Sequence, residues 1–476
     1  MSIVLTNTLT GRKEALTTRT PGHVRIYWCG VTVYSRAHVG HARFLIASDA
    51  LVRYLRARGF GATFVRNFTD IDDKMIRRAA DEKITVAALA DREIAAFTAD
   101  VASLGCLPPN EEPRATAHIP HMIALVERLI AKGHAYAVPG GSVYFRVRSF
   151  PGYGKLSHRR LEDMEAGEET DPAKEAVQDF ALWKGEKPGE PAWDTPWGRG
   201  RPGWHLECSA MSVHYLGQPF DVHGGGSDLI FPHHENELAQ SEADGGAPLS
   251  TIWMHNGMIT FGADKMSKSL GNVLSIAEVT ERAPGEALRL LYFGTHYRAP
   301  LEFTPARLEE ATRSLERLYE ALARADELLG PVQRLTLEGA LASADTPFLQ
   351  SFCAAMDEDL NAAMALGFVF DRMRELNRAL DSGDRPTVTA ARSDLLRAGA
   401  ALGLFAEQPA AFLEAARRRG QQRTGLTDAE IEAAIAEREA ARKRKDFRAA
   451  DAVRERLRER GILLEDTPSG TLWRAG

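Results

Sequence analysis

The stretch that decides the fold opens with His23-Val-Arg-Ile-Tyr-Trp28, an apolar and aromatic run that reads as a β-strand. Downstream, Phe44, Ser48, Leu51, Val52 and Leu55 recur on one face of a helix that ends near Gly59, and Ala62 to Phe68 reads as a second strand. Strand, helix and strand within about 45 residues make a βαβ unit, which predicts a parallel sheet of the nucleotide-binding type. In such sheets ligands sit outside the carboxyl ends of the strands, so chemistry is expected just past Trp28 and Phe68.

Working outward, the pattern changes between about 136 and 200 to short strands such as Ser142 to Val147, broken by Pro, Gly and acidic loops, which suggests an insertion. After Pro300 the chain becomes rich in Ala, Leu, Glu and Arg at helical spacing, with breaks near Gly330-Pro331 and Ser382 to Pro386, as in a helix bundle. A looser stretch around Gln408 to Thr427 reads as a linker, after which a basic helix leads into a small C-terminal domain of mixed helix and strand. At 476 residues the chain is too long for one core, and roughly three or four cooperating units are expected.

Composition narrows the function. Apolar residues make up 44 % and charged residues 26 %, ordinary for a globular protein. No run approaches the roughly 18 apolar residues of a membrane span, and the N-terminus, with Asn7, Arg12 and Lys13, lacks a signal-peptide apolar region. A cytoplasmic protein without a membrane partner is therefore expected. Four scattered cysteines, Cys29, Cys106, Cys208 and Cys353, do not make a disulfide framework and leave reduced thiols available as ligands. A net charge of −6 argues against non-specific coating of nucleic acid, so any such contact must be local.

Two motifs carry phosphate chemistry. His38-Val-Gly-His41 falls where the first helix should start, so free backbone N–H groups and the helix dipole favour a phosphate there. Gly40 lets a flat base or ribose come close, and the imidazoles of His38 and His41 can donate to phosphate oxygens as charge develops. Alone, a solvated helix start with two incidental histidines explains the motif equally well. Much later comes Lys265-Met-Ser-Lys-Ser269, a basic loop able to fold over a triphosphate, with Lys268 as a compact point charge on the transferring group. In order and separation the pair resembles the HIGH and KMSKS signatures of class I aminoacyl-tRNA synthetases.

A third constellation comprises Cys29, Cys208, His233 and Glu237, all zinc-competent and all near motif loops. His233 and Glu237 are four apart, so on a helix opening at Pro232 they project from one face. Two buried thiols and a polar helix start would be the bland alternative, a description that suits Cys106 and Cys353. The wider pattern decides between them. Thr69-Asp-Ile-Asp-Asp-Lys74, Asp179-Phe-Ala-Leu-Trp-Lys184, Gly203-Trp-His-Leu-Glu-Cys208 and Gly224-Gly-Gly-Ser-Asp228 resemble the cysteinyl-tRNA synthetase family across nearly the whole chain.

That resemblance implies a great deal. It implies one zinc ion per chain on Cys29, Cys208, His233 and Glu237 that also takes the sulfur of the substrate cysteine, with ATP bound as its magnesium complex. It places Gly30 and Thr69 in the amino-acid pocket, with Trp204 as its floor, and makes His205 and His223 candidates for a histidine cluster beside the metal, a satisfied core or loop role explaining each of them equally well. It assigns adenylate chemistry to His38, His41, Lys265 and Lys268, with L-cysteine, ATP and tRNA(Cys) as partners of a monomer. Asp70, Asp72 and Asp73 are candidates either for the substrate ammonium or for helix capping. The fold implied is α/β: a Rossmann-like catalytic domain over 1–135 and 201–250, an inserted connective subdomain over 136–200, and a KMSKS-loop and stem-contact region over 251–305. A helical bundle over 306–405, a linker over 406–426 and an anticodon-recognition domain over 427–476 complete it.

Between Arg438 and Arg460 ten Lys or Arg stand against five Asp or Glu, a local basic surface of the kind that contacts phosphates. A related class of enzyme, which passes activated cysteine to the amine of a sugar as in mycothiol biosynthesis, would carry a similar metal site. It would have no use for this basic C-terminal region. A non-catalytic RNA-binding paralogue would have no use for His38, His41 and Lys268 together.

Overall fold

The structure, a computed structural model, describes residues 2–164, 171–261, 274–332, 335–467 and 470–475. The chain opens with a two-stranded antiparallel ribbon, β1 (Val4–Asn7) and β2 (Arg12–Ala15), followed by β3 (His23–Thr32), α1 (Val39–Ala57) and β4 (Gly61–Thr69). Helices α2 (Asp73–Glu82), α3 (Val86–Ser103) and α4 (Ile119–Ala131) lead to four short strands: β5 (Ala135–Ala137), β6 (Val143–Phe145), β7 (Phe180–Gly185) and β8 (Gly200–Pro202). Then come α5 (Trp204–Leu216), β9 (Phe220–Gly226), α6 (Glu235–Gly245), β10 (Ser250–Asn256), β11 (Ile259–Thr260), α7 (Ile276–Arg282), α8 (Gly285–Phe293) and β12 (Leu301–Glu302). The remainder is α9 (Pro305–Leu329), α10 (Pro347–Asp357), α11 (Ala362–Ser382), α12 (Arg385–Leu402), α13 (Pro409–Thr424), α14 (Asp428–Lys443), α15 (Phe447–Glu459), β13 (Ile462–Thr467) and β14 (Gly470–Ala475).

The expected βαβ unit is present. Strands β3 and β4 pair in parallel on either side of α1, and β9 and β10 extend the sheet in the order β10-β9-β3-β4, all parallel. Central β3 has Val24, Ile26, Tyr27 and Trp28 fully buried, because a parallel sheet is covered on both faces. Helix α1 ends as its sequence dictates, with Gly59 at φ 88°.

Strand β3 does not stop at Trp28. Its register with β4 shifts between Trp28 and Val31, so Cys29 and Gly30 leave the ladder as a bulge and pairing then resumes to Thr32. At Gly30 a Cβ atom would sit 1.7 Å from the Asn67 carbonyl oxygen, so only glycine lets β4 approach this closely. The bulge re-aims Cys29 out of the sheet at its carboxyl end, where the ligand site of such sheets lies.

Strands β5 to β8 form a separate antiparallel sheet in sequence order, built within the catalytic part as the insertion required. Its last strand runs directly into α5: the Gly203 N–H donates to the Leu182 carbonyl at 2.8 Å, and the helix begins at Trp204. The insertion therefore fixes the start of the helix that carries Cys208.

The chain divides into two compact units, residues 1–312, 333–375 and 393–404 in the larger and residues 313–332, 376–392 and 405–476 in the second. Within the second, most of the stretch 406–426, expected as a linker, is taken up by helix α13. Pro409 sits in the first turn of α13, Gly425 caps its end in the left-handed region, and Phe412 stacks on Tyr319 with ring centroids 3.7 Å apart. Its Arg- and Gln-rich composition hides this short amphipathic signal. Helices α14 and α15 cover the antiparallel β13–β14 hairpin through Ile431, Val453, Leu457, Ile462 and Leu464. No helix among the described residues is long and apolar enough to cross a membrane.

Candidate active site and metal centre

Four elements converge on one buried cluster. The β3 bulge supplies Cys29 and the second turn of α5 supplies Cys208. Phe231 breaks the chain with extended dihedrals (φ −139°, ψ 131°) immediately before Pro232, so the helical run that opens there and continues into α6 places His233 and Glu237 on one face. One ligand atom from each of Cys29, Cys208, His233 and Glu237 lies within 4.8 Å of all the others, and all four side chains are buried.

The spacing suits a small tetrahedral cation. Cys29 Sγ is 3.6 Å from His233 Nε2 and 3.3 Å from Glu237 Oε1, while His233 Nε2 and Glu237 Oε1 are 2.9 Å apart. Ligands around a tetrahedral zinc ion would stand about 3.3–3.6 Å apart, given bonds of about 2.3 Å to sulfur and about 2.0 Å to nitrogen or oxygen. Shifts of a few tenths of an ångström would complete the shell. Cys29 Sγ and His233 Nε2 both face Glu237 Oε1.

Electrostatics follow from burial and from these contacts. Burial, joined by neighbouring Cys208 and Glu237, pushes the Cys29 thiol well up. Cys208 is also penalised by burial, but hydrogen bonding from Cys29 and His233 outweighs this and brings its thiol to about 7. His233 is likewise disfavoured as a cation by burial, yet the Glu237 carboxylate dominates and lifts it to about 10. Glu237 is held well below the usual carboxylate range because His233 and His223 overcome its burial. The site is built to keep one carboxylate charged in a dry interior.

Around it lies a shell of histidines. His223 of β9 donates from Nε2 to Glu237 Oε2 at 2.9 Å and stacks on Trp253 at 4.3 Å. His205 of α5 meets His233 Nδ1 to Nδ1 at 2.9 Å, which orients the His233 ring with Nε2 toward Glu237. Burial drives His205 well down, and with it His234. His234 contacts His255 at 2.7 Å, His255 contacts the Thr8 hydroxyl at 2.7 Å, and burial brings His255 to about 3. Cys29, His223, His234 and Glu237 form a second converging set. His234 and His255 carried no warning in the sequence, because both read as strand or helix-start polars. Gly225 makes room for the first of them: a Cβ there would lie 2.8 Å from the His234 ring.

The expected pocket residues lie beside the cluster. Trp204 is 37 % exposed and stacks flat on His233 with centroids 4.2 Å apart, so it forms a solvent-facing aromatic wall over that imidazole. The Gly30 N–H donates to Asn67 Oδ1 at 2.9 Å, and the Thr69 hydroxyl donates to Glu207 Oε2 at 2.9 Å. Asn67 also meets Cys208 Sγ at 3.6 Å. The three aspartates that come after Thr69 are occupied elsewhere: Asp70 accepts from the Thr116 N–H and hydroxyl, Asp72 caps α2 through the Lys74 N–H, and Asp73 pairs with Lys184 and Arg201.

At the phosphate end His38 is the N-cap of α1, and its ring stacks on that of His41 with centroids 3.8 Å apart. The His38 N–H donates to His41 Nδ1 at 3.2 Å, which leaves the His41 ring proton on Nε2, on the far side from the helix start. Gly40 lies in the first turn of the helix. Lys265 and Lys268 lie outside the described residues. The chain from Leu274 onward is anchored beside α1: the Val39 N–H donates to the Leu274 carbonyl at 3.0 Å and the Ile276 N–H donates to the Ala37 carbonyl at 3.1 Å. The segment that returns from the Lys265–Ser269 motif is thus hydrogen-bonded to the start of that helix.

In the second unit, Arg438 makes a two-pronged ion pair with Asp466 at 2.7 and 2.8 Å, and Arg442 joins the same carboxylate at 2.9 Å. Lys443, Arg444, Lys445 and Arg448 are exposed and have no ion-pair partner among the described residues. Phe447 stands among them with 63 % of its surface open.

Comparison with known proteins identifies the family. Residues 15–313 match the family described as class I (C) tRNA synthetase catalytic domains, 351–406 the DALR domain, and 424–474 the cysteinyl-tRNA ligase anticodon binding domain. The chain is 50 % identical over 482 residues to the cysteine–tRNA ligase of Geobacter sulfurreducens, covering 100 % of both chains. It is also 50 % identical over 473 residues to that of Thioalkalivibrio sulfidiphilus, covering 99 % of each. Among solved structures, Mycobacterium tuberculosis methionyl-tRNA synthetase in complex with methionyl-adenylate shares the fold at a TM-score of 0.60 and 17 % identity, over 86 % of this chain and 96 % of that one. The chain therefore belongs to the cysteinyl-tRNA synthetase family of class I aminoacyl-tRNA synthetases.

Proposed function

We propose that the chain activates L-cysteine with magnesium-bound ATP to cysteinyl-adenylate, releasing pyrophosphate, and then transfers the cysteinyl group to tRNA(Cys), releasing AMP. The single observation that carries the cysteine specificity is the convergence of Cys29, Cys208, His233 and Glu237 in one buried cluster at the carboxyl end of the sheet. Full-length identity to cysteine–tRNA ligases, including the C-terminal domain, supports a tRNA acceptor over the amine of a sugar. A cytoplasmic setting, where thiols stay reduced, suits four unpaired cysteines.

In this reading the four residues hold one zinc ion. Bound there, zinc supplies a soft Lewis acid that favours a thiolate over a hydroxyl, which is how cysteine is told from serine without an editing site. Glu237 is the ligand best able to yield its place, since His223 already holds its second oxygen. Trp204 closes the pocket over His233, while His205 and His223 fix the orientation of His233 and Glu237. Gly30 and Thr69 line the opposite wall.

Activation follows from placement. The carboxylate of the bound amino acid attacks the α-phosphorus in line with the departing pyrophosphate. His38 and His41 at the start of α1 donate to phosphate oxygens as charge builds, and Gly40 admits the nucleotide to the backbone. Lys265 and Lys268 act from the loop whose return is fixed beside His38. In the second half-reaction the terminal ribose hydroxyl of the tRNA attacks the adenylate carbonyl and AMP leaves. The exposed cations Lys443, Arg444, Lys445 and Arg448 meet the tRNA backbone, and exposed Phe447 offers a face on which a splayed base stacks.

ATP–pyrophosphate exchange across the amino acids, followed by charging of tRNA and separately of an aminosugar, tests the reading. Cysteine-dependent exchange and tRNA charging are expected. Exchange with another amino acid of equal efficiency, or transfer to the aminosugar alone, would overturn it.

A further inference from the structure

An α-amino acid pocket needs an acceptor for the substrate ammonium, and each aspartate the sequence offered beside Thr69 is occupied by Thr116, by the α2 cap or by Lys184 and Arg201. Another acid side chain touches Thr69 itself. Glu207, in the first turn of α5, is fully buried, accepts the Thr69 hydroxyl at 2.9 Å, and its other oxygen has no hydrogen-bond partner among the described residues. A buried carboxylate with one oxygen unsatisfied is costly to keep unless it has work to do.

The hydrogen bonds around it run in one direction. The Gly30 N–H donates to Asn67 Oδ1 at 2.9 Å, the Asn67 amide points its N–H at Thr69 Oγ1 at a long 3.5 Å, and the Thr69 hydroxyl donates to Glu207. Thr69 has a single hydroxyl proton, and that proton is directed at Glu207 Oε2. Its oxygen is thereby left as an acceptor, with one lone pair only weakly engaged by Asn67. A hydroxyl held in that sense receives an N–H from an ammonium and presents no proton to repel it.

We propose that Glu207 is a positioning residue for amino-acid recognition: by accepting the Thr69 hydroxyl proton it sets Thr69 Oγ1 as the acceptor for the α-ammonium of cysteine. The proposal rests on the reading of Thr69 as a wall of the amino-acid pocket. Glu207 itself is too deeply buried to touch the substrate.

The test compares cysteine with 3-mercaptopropionate, which keeps the thiol and carboxylate and lacks the ammonium, as a competitive inhibitor of cysteine-dependent exchange. Glu207→Ala should weaken cysteine at least about tenfold while changing the inhibitor less than about twofold, so the ratio of the two constants collapses. Glu207→Gln, whose amide oxygen still accepts from Thr69, should restore cysteine binding to within about threefold. Should the alanine variant lose its fold by circular dichroism, Glu207→Met fills the volume without an acceptor and the same collapse is expected. Equal weakening of both ligands would reduce Glu207 to support for the metal-bearing helix and overturn the proposal. Thr69→Ala separates the two claims. If Thr69→Ala leaves the ratio intact, the pocket reading of Thr69 fails, and if it collapses the ratio while Glu207→Ala does not, only the role of Glu207 fails.

Discussion

Raising the pH should strengthen metal binding more steeply than ordinary cysteine and histidine ligands would allow. In the metal-free cluster Cys29 keeps its proton because burial pushes its thiol up, and His233 keeps its second ring proton because Glu237 lifts it to about 10. Both protons point at Glu237 and both must leave when a cation arrives. Cys208, at about 7, has already lost its proton at pH 8.5 and releases one only in more acid solution. About two protons per metal are therefore released at pH 8.5, rising to about three near pH 6. Ordinary pKa values of about 8.5 for two thiols and about 6.5 for an imidazole would release only about one at pH 8.5. Two protons correspond to about a hundredfold gain in affinity per pH unit, or about 2.7 kcal/mol. Calorimetric titration of apo protein with zinc in buffers of different ionisation enthalpy counts the protons directly. A count near one at pH 8.5 would refute the coupling of Cys29, His233 and Glu237 derived from their contacts.

Other perturbations probe the remaining parts. Cys208→Ser should lower zinc content and cysteine-dependent exchange together by more than about tenfold, as measured by metal analysis and pyrophosphate exchange, because a hydroxyl resists deprotonation at the metal. His41→Ala should cut adenylate formation by about a hundredfold or more with cysteine affinity nearly unchanged, since its ring acts on charge that develops in the transition state. Loss of cysteine affinity at unchanged turnover would contradict that role. Replacing Lys443, Arg444, Lys445 and Arg448 together by Ala should weaken tRNA binding and reduce the slope of log affinity against log salt by about two to three, whereas Phe447→Ala should weaken binding by about 1–3 kcal/mol with the slope preserved.

Much of the fold is legible in the sequence. The βαβ unit around His23 to Phe68 announced the parallel sheet through strand and helix periodicities, and the i, i+4 spacing of His233 and Glu237 after Pro232 put both on one helical face. What escaped were features set by tertiary contact. The bulge at Cys29 and Gly30 depends on how near Asn67 comes from the neighbouring strand, which no local pattern encodes. Glu207 looks like an ordinary acid in the first turn of a helix, and only burial against Thr69 distinguishes it. His234 and His255 join the cluster through pairing of β9 with β10 and the packing of α6, both distant in sequence. Helix α13 is obscured because a short, Arg-rich helix has little hydrophobic periodicity and packs through contacts distant in sequence, Phe412 on Tyr319 and Arg417 over Trp473.

The central claim is that cysteine is selected by bonding its sulfur to a metal held on Cys29, Cys208, His233 and Glu237. Cobalt substituted for zinc makes that bond visible, since cobalt in a tetrahedral sulfur and nitrogen shell absorbs in the visible and each thiolate adds charge-transfer intensity in the near ultraviolet. Titrating the cobalt form with cysteine should raise the charge-transfer band and shift the visible bands saturably, with serine leaving both unchanged. A spectrum that stays the same at saturating cysteine would make the metal structural and would contradict the account.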